Sequence, residues 1–174
     1  DLVHNPDERA EWDVATTAVR SLDEHGIPTL IALGNHDATT IRDPVVFRTR
    51  FPSARYATLV DSNPTVEEYG TFDGAPENAY FRQVIDGRSV LYLTLEFGPR
   101  QAVVEWADGV LSAYDDSAVF MTTHSYMYFD DTRTDRDDDH NPRQYEIDDV
   151  HNGAELWEEL VRKHDHIVNI HSGH

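Results

Sequence analysis

Thr29-Leu30-Ile31-Ala32-Leu33-Gly34-Asn35-His36-Asp37 runs from a short apolar segment straight into a glycine, an amide, an imidazole and a carboxylate. Thr29 to Leu33 has the length and composition of a buried strand. In open α/β sheets, ligands gather just beyond the carboxyl ends of strands. A strand that ends in Asn-His-Asp therefore points to a fold class and a site at once.

Upstream, Asn5-Pro6-Asp7-Glu8 reads as a helix start, with Asn5 as N-cap, Pro6 in the first turn and Glu8 completing a capping-box pattern. Trp12, Ala15, Val19 and Leu22 recur at helical spacing, and Gly26 supplies the stop. Downstream, Asp43-Pro44 opens a short helix, while residues 51–76 carry scattered Pro, Gly, Asn and Asp and read mostly as loop. Tyr80–Ile85 and Ser89–Leu95 flank Asp86-Gly87, a pair that accepts the positive φ of a tight hairpin turn. Val103, Val104, Ala107, Val110, Leu111 and Tyr114 mark another amphipathic helix. Ala118–Thr123 is a second buried strand, followed by His124-Ser125. Residues 127–150 are acidic and turn-rich and read as a solvated loop. Asn152 to Glu155 caps a last helix with Leu156, Trp157, Leu160 and Val161, and His166–Ile170 is a final strand running into His171-Ser172-Gly173-His174. Helices alternating with strands, plus one hairpin, predict an α/β layered fold with a mixed sheet.

The chain has 174 residues, a length that fits one domain with a sizeable core. Its 33 acidic and 14 basic side chains give a net charge of −19, which argues against binding a nucleic-acid backbone through clustered Lys and Arg. No apolar run is long enough for a membrane span. The bases are 13 Arg and a single Lys163, and the acids lean to Asp, 21 against 12 Glu. Such a surface suits concentrated salt, where self-repulsion is screened; an acidic protein from a GC-rich genome is the competing explanation. Without cysteine, no disulfide, thiolate metal site or thiol nucleophile exists.

Metal-type ligands fall in four separated segments, each after an expected strand or at a chain end: Asp1, Asn35-His36-Asp37, His124 and His174. Imidazole, carboxylate and amide oxygen together suit borderline divalent ions such as Zn, Mn or Fe. Each segment alone could equally be a hydrogen-bonded loop; their shared location is the signal.

Gly34-Asn35-His36-Asp37 resembles the GNH(D/E) signature of calcineurin-like metallophosphoesterases. Asp1-Leu2-Val3-His4-Asn5 resembles that family's GDxxD motif without its leading Gly, with His4 in place of an Asp. Thr123-His124-Ser125 resembles the family's lone-His motif, and Ser172-Gly173-His174 the start of its GHxH motif. Order and separations follow the family over almost the whole chain. Glu96-Phe97-Gly98-Pro99-Arg100 and the Leu156-Trp157 helix resemble a subgroup common among exported members, and by that resemblance alone the setting is extracytoplasmic. The family's first motif, DxH, and the second His of its last motif have no counterpart between Asp1 and His174. The expectation is thus a single calcineurin-like domain over 1–174, incomplete at both termini, with a layered α/β/β/α sandwich of mixed sheets.

The resemblance implies a hydrolase acting on a small phosphomonoester or diester at two divalent metals (Mn, Fe or Zn). Asp1 would bridge the metals, and Asn35, His124 and His174 would serve the second one. A bridging water would attack phosphorus. His36 would be the general acid at the leaving oxygen, and Asp37 would hydrogen-bond its other ring nitrogen and orient it. Only one metal, near His124 and His174, is expected for this chain alone. His4 is a candidate neighbour of the site. Arg100 and Arg133 are candidates for substrate phosphate, with surface ion pairing as the alternative. His164, His166 and His171 have structural alternatives at element ends. The rival function is a non-catalytic structural or binding domain that retains the fold; a nuclease is disfavoured by the charge.

Overall fold

The computed structural model describes all 174 residues. Asp86 and Gly87 both adopt left-handed backbone, with φ of 50° and 76°, so the chain reverses tightly there. On either side of that turn, β2 (Ala75–Ile85) and β3 (Arg88–Leu95) pair antiparallel from Ile85↔Arg88 to Ala79↔Thr94. β1 (Val66–Phe72) adds antiparallel to β2, while β4 (Ala118–Thr123) and β5 (Ile167–His171) add in parallel beyond β3. The result is one five-stranded mixed sheet in the order β1-β2-β3-β4-β5. Together with its helices it makes the molecule mixed α/β.

The helices are α1 (Arg9–Glu24), α2 (Val45–Arg50), α3 (Ala54–Ser62), α4 (Gln101–Ala113) and α5 (Gly153–Glu159). α4 and the segment containing α5 make the two crossovers that parallel strands require. Alternate residues Leu91, Leu93, Leu95, Val119 and Met121 turn one sheet face toward Val103, Ala107 and Leu111 of α4 and Leu156 of α5, forming the main core. The opposite face carries Phe81, Tyr92 and Phe120 as a row of stacked rings, 4.7 and 5.7 Å between successive centroids. A second cluster joins Val3, Trp12, Val19, Ile31, Leu33, Phe47 and Phe51. No helix is long and apolar enough to cross a membrane.

Most expected elements form: α2, the hairpin, α4, β4, α5 and β5. Asn152 and Glu155 build the capping box at α5, with Asn152 accepting from Glu155 N–H at 2.9 Å and Glu155 accepting from Asn152 N–H at 3.1 Å. α1 starts later than expected. Its N-cap is Glu8, which accepts from Ala10 N–H, while Asn5 closes a turn onto Asp7 N–H. Leu22 is 37% exposed rather than core.

Thr29–Leu33 is not a strand. Its backbone makes no backbone–backbone hydrogen bond; its one tie is Thr29 C=O accepting from Arg55 Nη1 at 2.7 Å. Ile31 and Leu33 are still buried in the second cluster, so the alternation reports burial without pairing. The stretch 51–76 is more ordered than its composition suggests, since it holds α3 and β1. β1 is an edge strand whose Glu67 and Glu68 face solvent, and only Tyr56 and Leu59 of α3 are buried. Residues 127–150 form a loop broken by one 3-10 turn, Pro142–Tyr145, and are only partly solvated, since Thr134, Asn141 and Val150 are buried. Asp and Asn side chains bond nearby backbone, as Asp130 does with Thr132 and Asp138 with Asp135.

Candidate metal centre

Asn35, His36 and Asp37 form a single 3-10 turn after Gly34. Asp37 is fully buried. Its Oδ1 accepts from Leu2 N–H at 2.6 Å and Val3 N–H at 3.0 Å, and its Oδ2 from Gly34 N–H at 2.8 Å. Asp37 therefore fastens the first residues of the chain onto the turn. The expected bond from Asp37 to the His36 ring is not made: the carboxylate points inward, to backbone amides that need an acceptor once buried. His36 instead donates from Nδ1–H to the carbonyl of His4 at 2.8 Å. The His4 ring stacks on it with centroids 5.1 Å apart and planes 20° from parallel. The bond fixes the ring orientation and leaves Nε2 without a protein partner.

The same fastening brings Asp1 to the turn. Its Oδ1 accepts from His36 N–H at 2.9 Å. Its Oδ2 lies 3.2 Å from Nε2 of His124, and Asn35 Oδ1 lies 3.2 Å from that same nitrogen. Gly34 makes this approach possible. Its φ of −98° is ordinary, but a β-carbon there would lie 2.1 Å from Asp1 Oδ1. The need for glycine is thus close approach rather than left-handed backbone.

His124 follows β4 and is 6% exposed. Burial lowers its pKa to about 4, and Asp37 opposes. The imidazole is neutral at neutral pH, which is the form that ligates metals. Phe97, fully buried, packs edge-on against His124, His174 and Tyr145 at 5.8, 5.1 and 5.0 Å. His174 is brought beside His124, with centroids 5.0 Å apart. Its Nε2 is engaged elsewhere, donating to the His140 carbonyl at 2.8 Å with Tyr145 Oη at 3.3 Å, so only Nδ1 remains free. Burial lowers the His174 pKa as well, against the His140 carbonyl.

The structure thus gathers Asp1, Asn35 and His124 around one point and sets His36 and His174 beside it. No three His, Cys, Asp or Glu side chains group together as a ready-made metal site. What converges is one carboxylate, one neutral imidazole and one amide oxygen, a donor set whose chemistry fits a borderline divalent ion. Asp37 supports this set without joining it.

The other candidates lie elsewhere. Arg100 is bound to Glu96 through Nε at 2.9 Å and Nη2 at 2.8 Å. Arg133 lies 3.9 Å over the Trp157 ring. His164 bonds Asp108 at 2.8 Å. Sequence reasoning did not single out Tyr145 or Arg42, which share with Asn35, Thr39, Thr40 and Asp148 a cavity of about 540 Å³ beside the cluster. Only their spatial approach reveals them, because both sit in segments without periodic pattern. Set against protein-family models, curated proteins and solved structures, the chain matches none.

Proposed function

We propose that the protein is a metal-dependent phosphoester hydrolase of the calcineurin-like kind, acting on a small phosphomonoester or diester. The single observation that carries this reading is the convergence of Asp1 Oδ2 and Asn35 Oδ1 on His124 Nε2, each at 3.2 Å, beside a His36 whose Nε2 is free. Asp1, Asn35 and His124 would hold a divalent cation, with Nδ1 of His174 as a further donor. A bound cation of this class supplies Lewis-acid stabilisation of phosphoryl charge and a nucleophile at neutral pH.

The chain's own residues do the rest. His36, with Nδ1–H tied to the His4 carbonyl, presents Nε2 outward. In its cationic form that nitrogen donates a proton to the leaving oxygen. His4 limits ring rotation by stacking. Asp37 holds Asp1 in place through the Leu2 and Val3 amides. The neighbouring cavity, with Thr39, Thr40 and Tyr145 on its wall, offers room for the alcohol portion of a small ester. The proposed fold is the layered α/β/β/α arrangement, in which a second sheet would lie against the face that carries Phe81, Tyr92 and Phe120.

The test is metal content of the purified protein together with hydrolysis of a phosphomonoester and a phosphodiester, run from low to high salt. Hydrolysis that needs a divalent metal and is lost to a chelator is the expected result. Metal uptake without hydrolysis at any salt concentration would overturn it and mark a non-catalytic binding domain instead.

A further inference from the structure

We propose that the cavity between Arg42, Arg48 and Arg100 is a binding site for a phosphate or sulfate group. The cavity, about 310 Å³, opens where the turn before α2, α2 itself, the start of α4 and the β1–β2 turn meet. Phe72, Asp73, Gly74 and Ala75 complete its wall. Three of the chain's 14 basic residues converge here, in a molecule with 33 acids.

Two buried carboxylates, Glu77 and Glu96, each 1% exposed, hold the arginines in place. Arg48 meets Glu77 through Nε at 3.0 Å and through Nη2, and donates from Nη1 to the exposed Asp43 at 3.2 Å. Arg100 grips Glu96 with both Nε and Nη2, and Arg42 Nη1 reaches the same carboxylate at 2.9 Å. Arg42 Nη2 also donates to the carbonyls of Gly98, Asp148 and Asp149. The guanidiniums are therefore fixed before any anion arrives, and little rotamer entropy is lost on binding.

Three positive charges face two buried negative ones, Glu77 and Glu96, and one exposed one, Asp43, which is paired to Arg48. Asp43, Asp73 and Asp149 are all exposed, so water weakens their pull on the arginines. Donor capacity is left over. Arg42 Nε and Arg100 Nη1 have no protein partner, yet neither is sealed from solvent. Arg100 also lies 5.8 Å over the Phe72 ring, which holds its plane at the cavity wall. Planar, pre-set guanidiniums with free N–H groups match a tetrahedral oxyanion.

Arg42 lines both this cavity and the one beside Asn35. The anion could thus be free in solution or the charged end of an organic molecule that extends along Thr39 and Thr40. None of the three arginines bonds Asp1, Asn35 or His124, so anion binding here is measurable whether or not the chain hydrolyses phosphoesters.

The test is calorimetric titration of inorganic phosphate into chelator-treated protein at low chloride, with sulfate as competitor. One saturable site is expected. The paired substitution Arg48→Met with Glu77→Met removes an arginine together with its buried partner, so no orphan charge remains. It should weaken phosphate at least tenfold while circular dichroism is unchanged. Asp73→Asn, a residue that tolerates the φ of 49° there, should tighten phosphate several-fold. Glycerol phosphate binding tighter than phosphate would assign an organic ligand, and equal binding a free anion; either upholds the site. No saturable binding, or unchanged affinity in the paired variant, overturns it. Should that variant fail to fold, unchanged affinity in Asp73→Asn overturns it instead.

Discussion

Asp1 and Gly34 approach so closely that a β-carbon on the glycine would lie 2.1 Å from the Asp1 Oδ1 and 3.0 Å from the Asp1 Cα. Alanine at 34 cannot coexist with Asp1 in its present position, although the backbone there suits any residue. Gly34→Ala should therefore displace the carboxylate and spare the fold. Divalent-metal affinity is expected to fall tenfold or more, roughly 1.4 kcal/mol or above, with a small change in thermal midpoint. Competition titration with a chromogenic chelator, read beside a melting curve, checks both halves. Wild-type affinity would show that Asp1 is not a ligand.

Asp37 should behave as the opposite case. Its buried carboxylate satisfies three backbone N–H groups, and hydrogen bonds to a charged group are worth about 1.5–3 kcal/mol each. Asp37→Ala leaves those amides buried and unpaired, so the expected loss of stability is several kcal/mol. Asp37→Asn keeps one acceptor oxygen but turns an NH₂ toward an amide donor, and should fall between. Urea unfolding of the metal-free protein measures this directly. A loss under about 1 kcal/mol for Asp37→Ala would mean that the fastening of Leu2 and Val3 is weak.

His36 and His4 separate chemistry from stability. The His36 ring is partly exposed and makes one hydrogen bond, so His36→Ala should cost little stability. As general acid it should account for about 10²–10⁴ in turnover. His4→Ala removes the stacked ring but leaves the His4 carbonyl that accepts from Nδ1–H, so turnover should drop only several-fold. Turnover with saturating metal distinguishes the two by size: a loss of about 10²–10⁴ in His36→Ala against a several-fold loss in His4→Ala. Full activity in His36→Ala would remove the acid from the mechanism.

What could be read from the residues follows a physical divide. The hairpin was legible because Asp86-Gly87 accepts positive φ, and β3, β4 and α4 because one-sided burial writes a clear period. Thr29–Leu33 misled because its alternation reflects packing against α1 and α2 rather than ladder bonds. β1 and α3 were illegible because one is an exposed edge and the other buries only two side chains. That Asn35, His124 and Asp1 lie together was legible from motif order. The direction of a side chain was not. Asp37 faces backbone amides instead of His36, and His174 gives its Nε2 to the His140 carbonyl, because backbone N–H and C=O groups elsewhere in the chain compete for them.

Glu155 gives the fold a defined acid limit. Burial works against its ionisation, but the Asn152 amide and then Arg136 and Arg143 outweigh that cost and hold its pKa below the ordinary 4.5. A carboxyl group with a lowered folded pKa binds fewer protons folded than unfolded as the pH drops past the ordinary value. Its contribution is therefore present in full above about pH 4.5 and is lost as pH falls through the lower folded pKa. Glu155→Gln keeps an oxygen for the Asn152 N–H, so at neutral pH it should lose only the charge on that bond and the pairs with Arg136 and Arg143, under about 1 kcal/mol. It should also flatten the decline of the urea midpoint below pH 4.5 relative to wild type. Arg136 is 71% exposed, so salt should erode its share, while the Asn152 N–H bond at 3.1 Å survives. Parallel wild-type and Glu155→Gln curves through that acid range, at low salt and at high, would show that Glu155 titrates alike folded and unfolded and that the cap acts by shape alone.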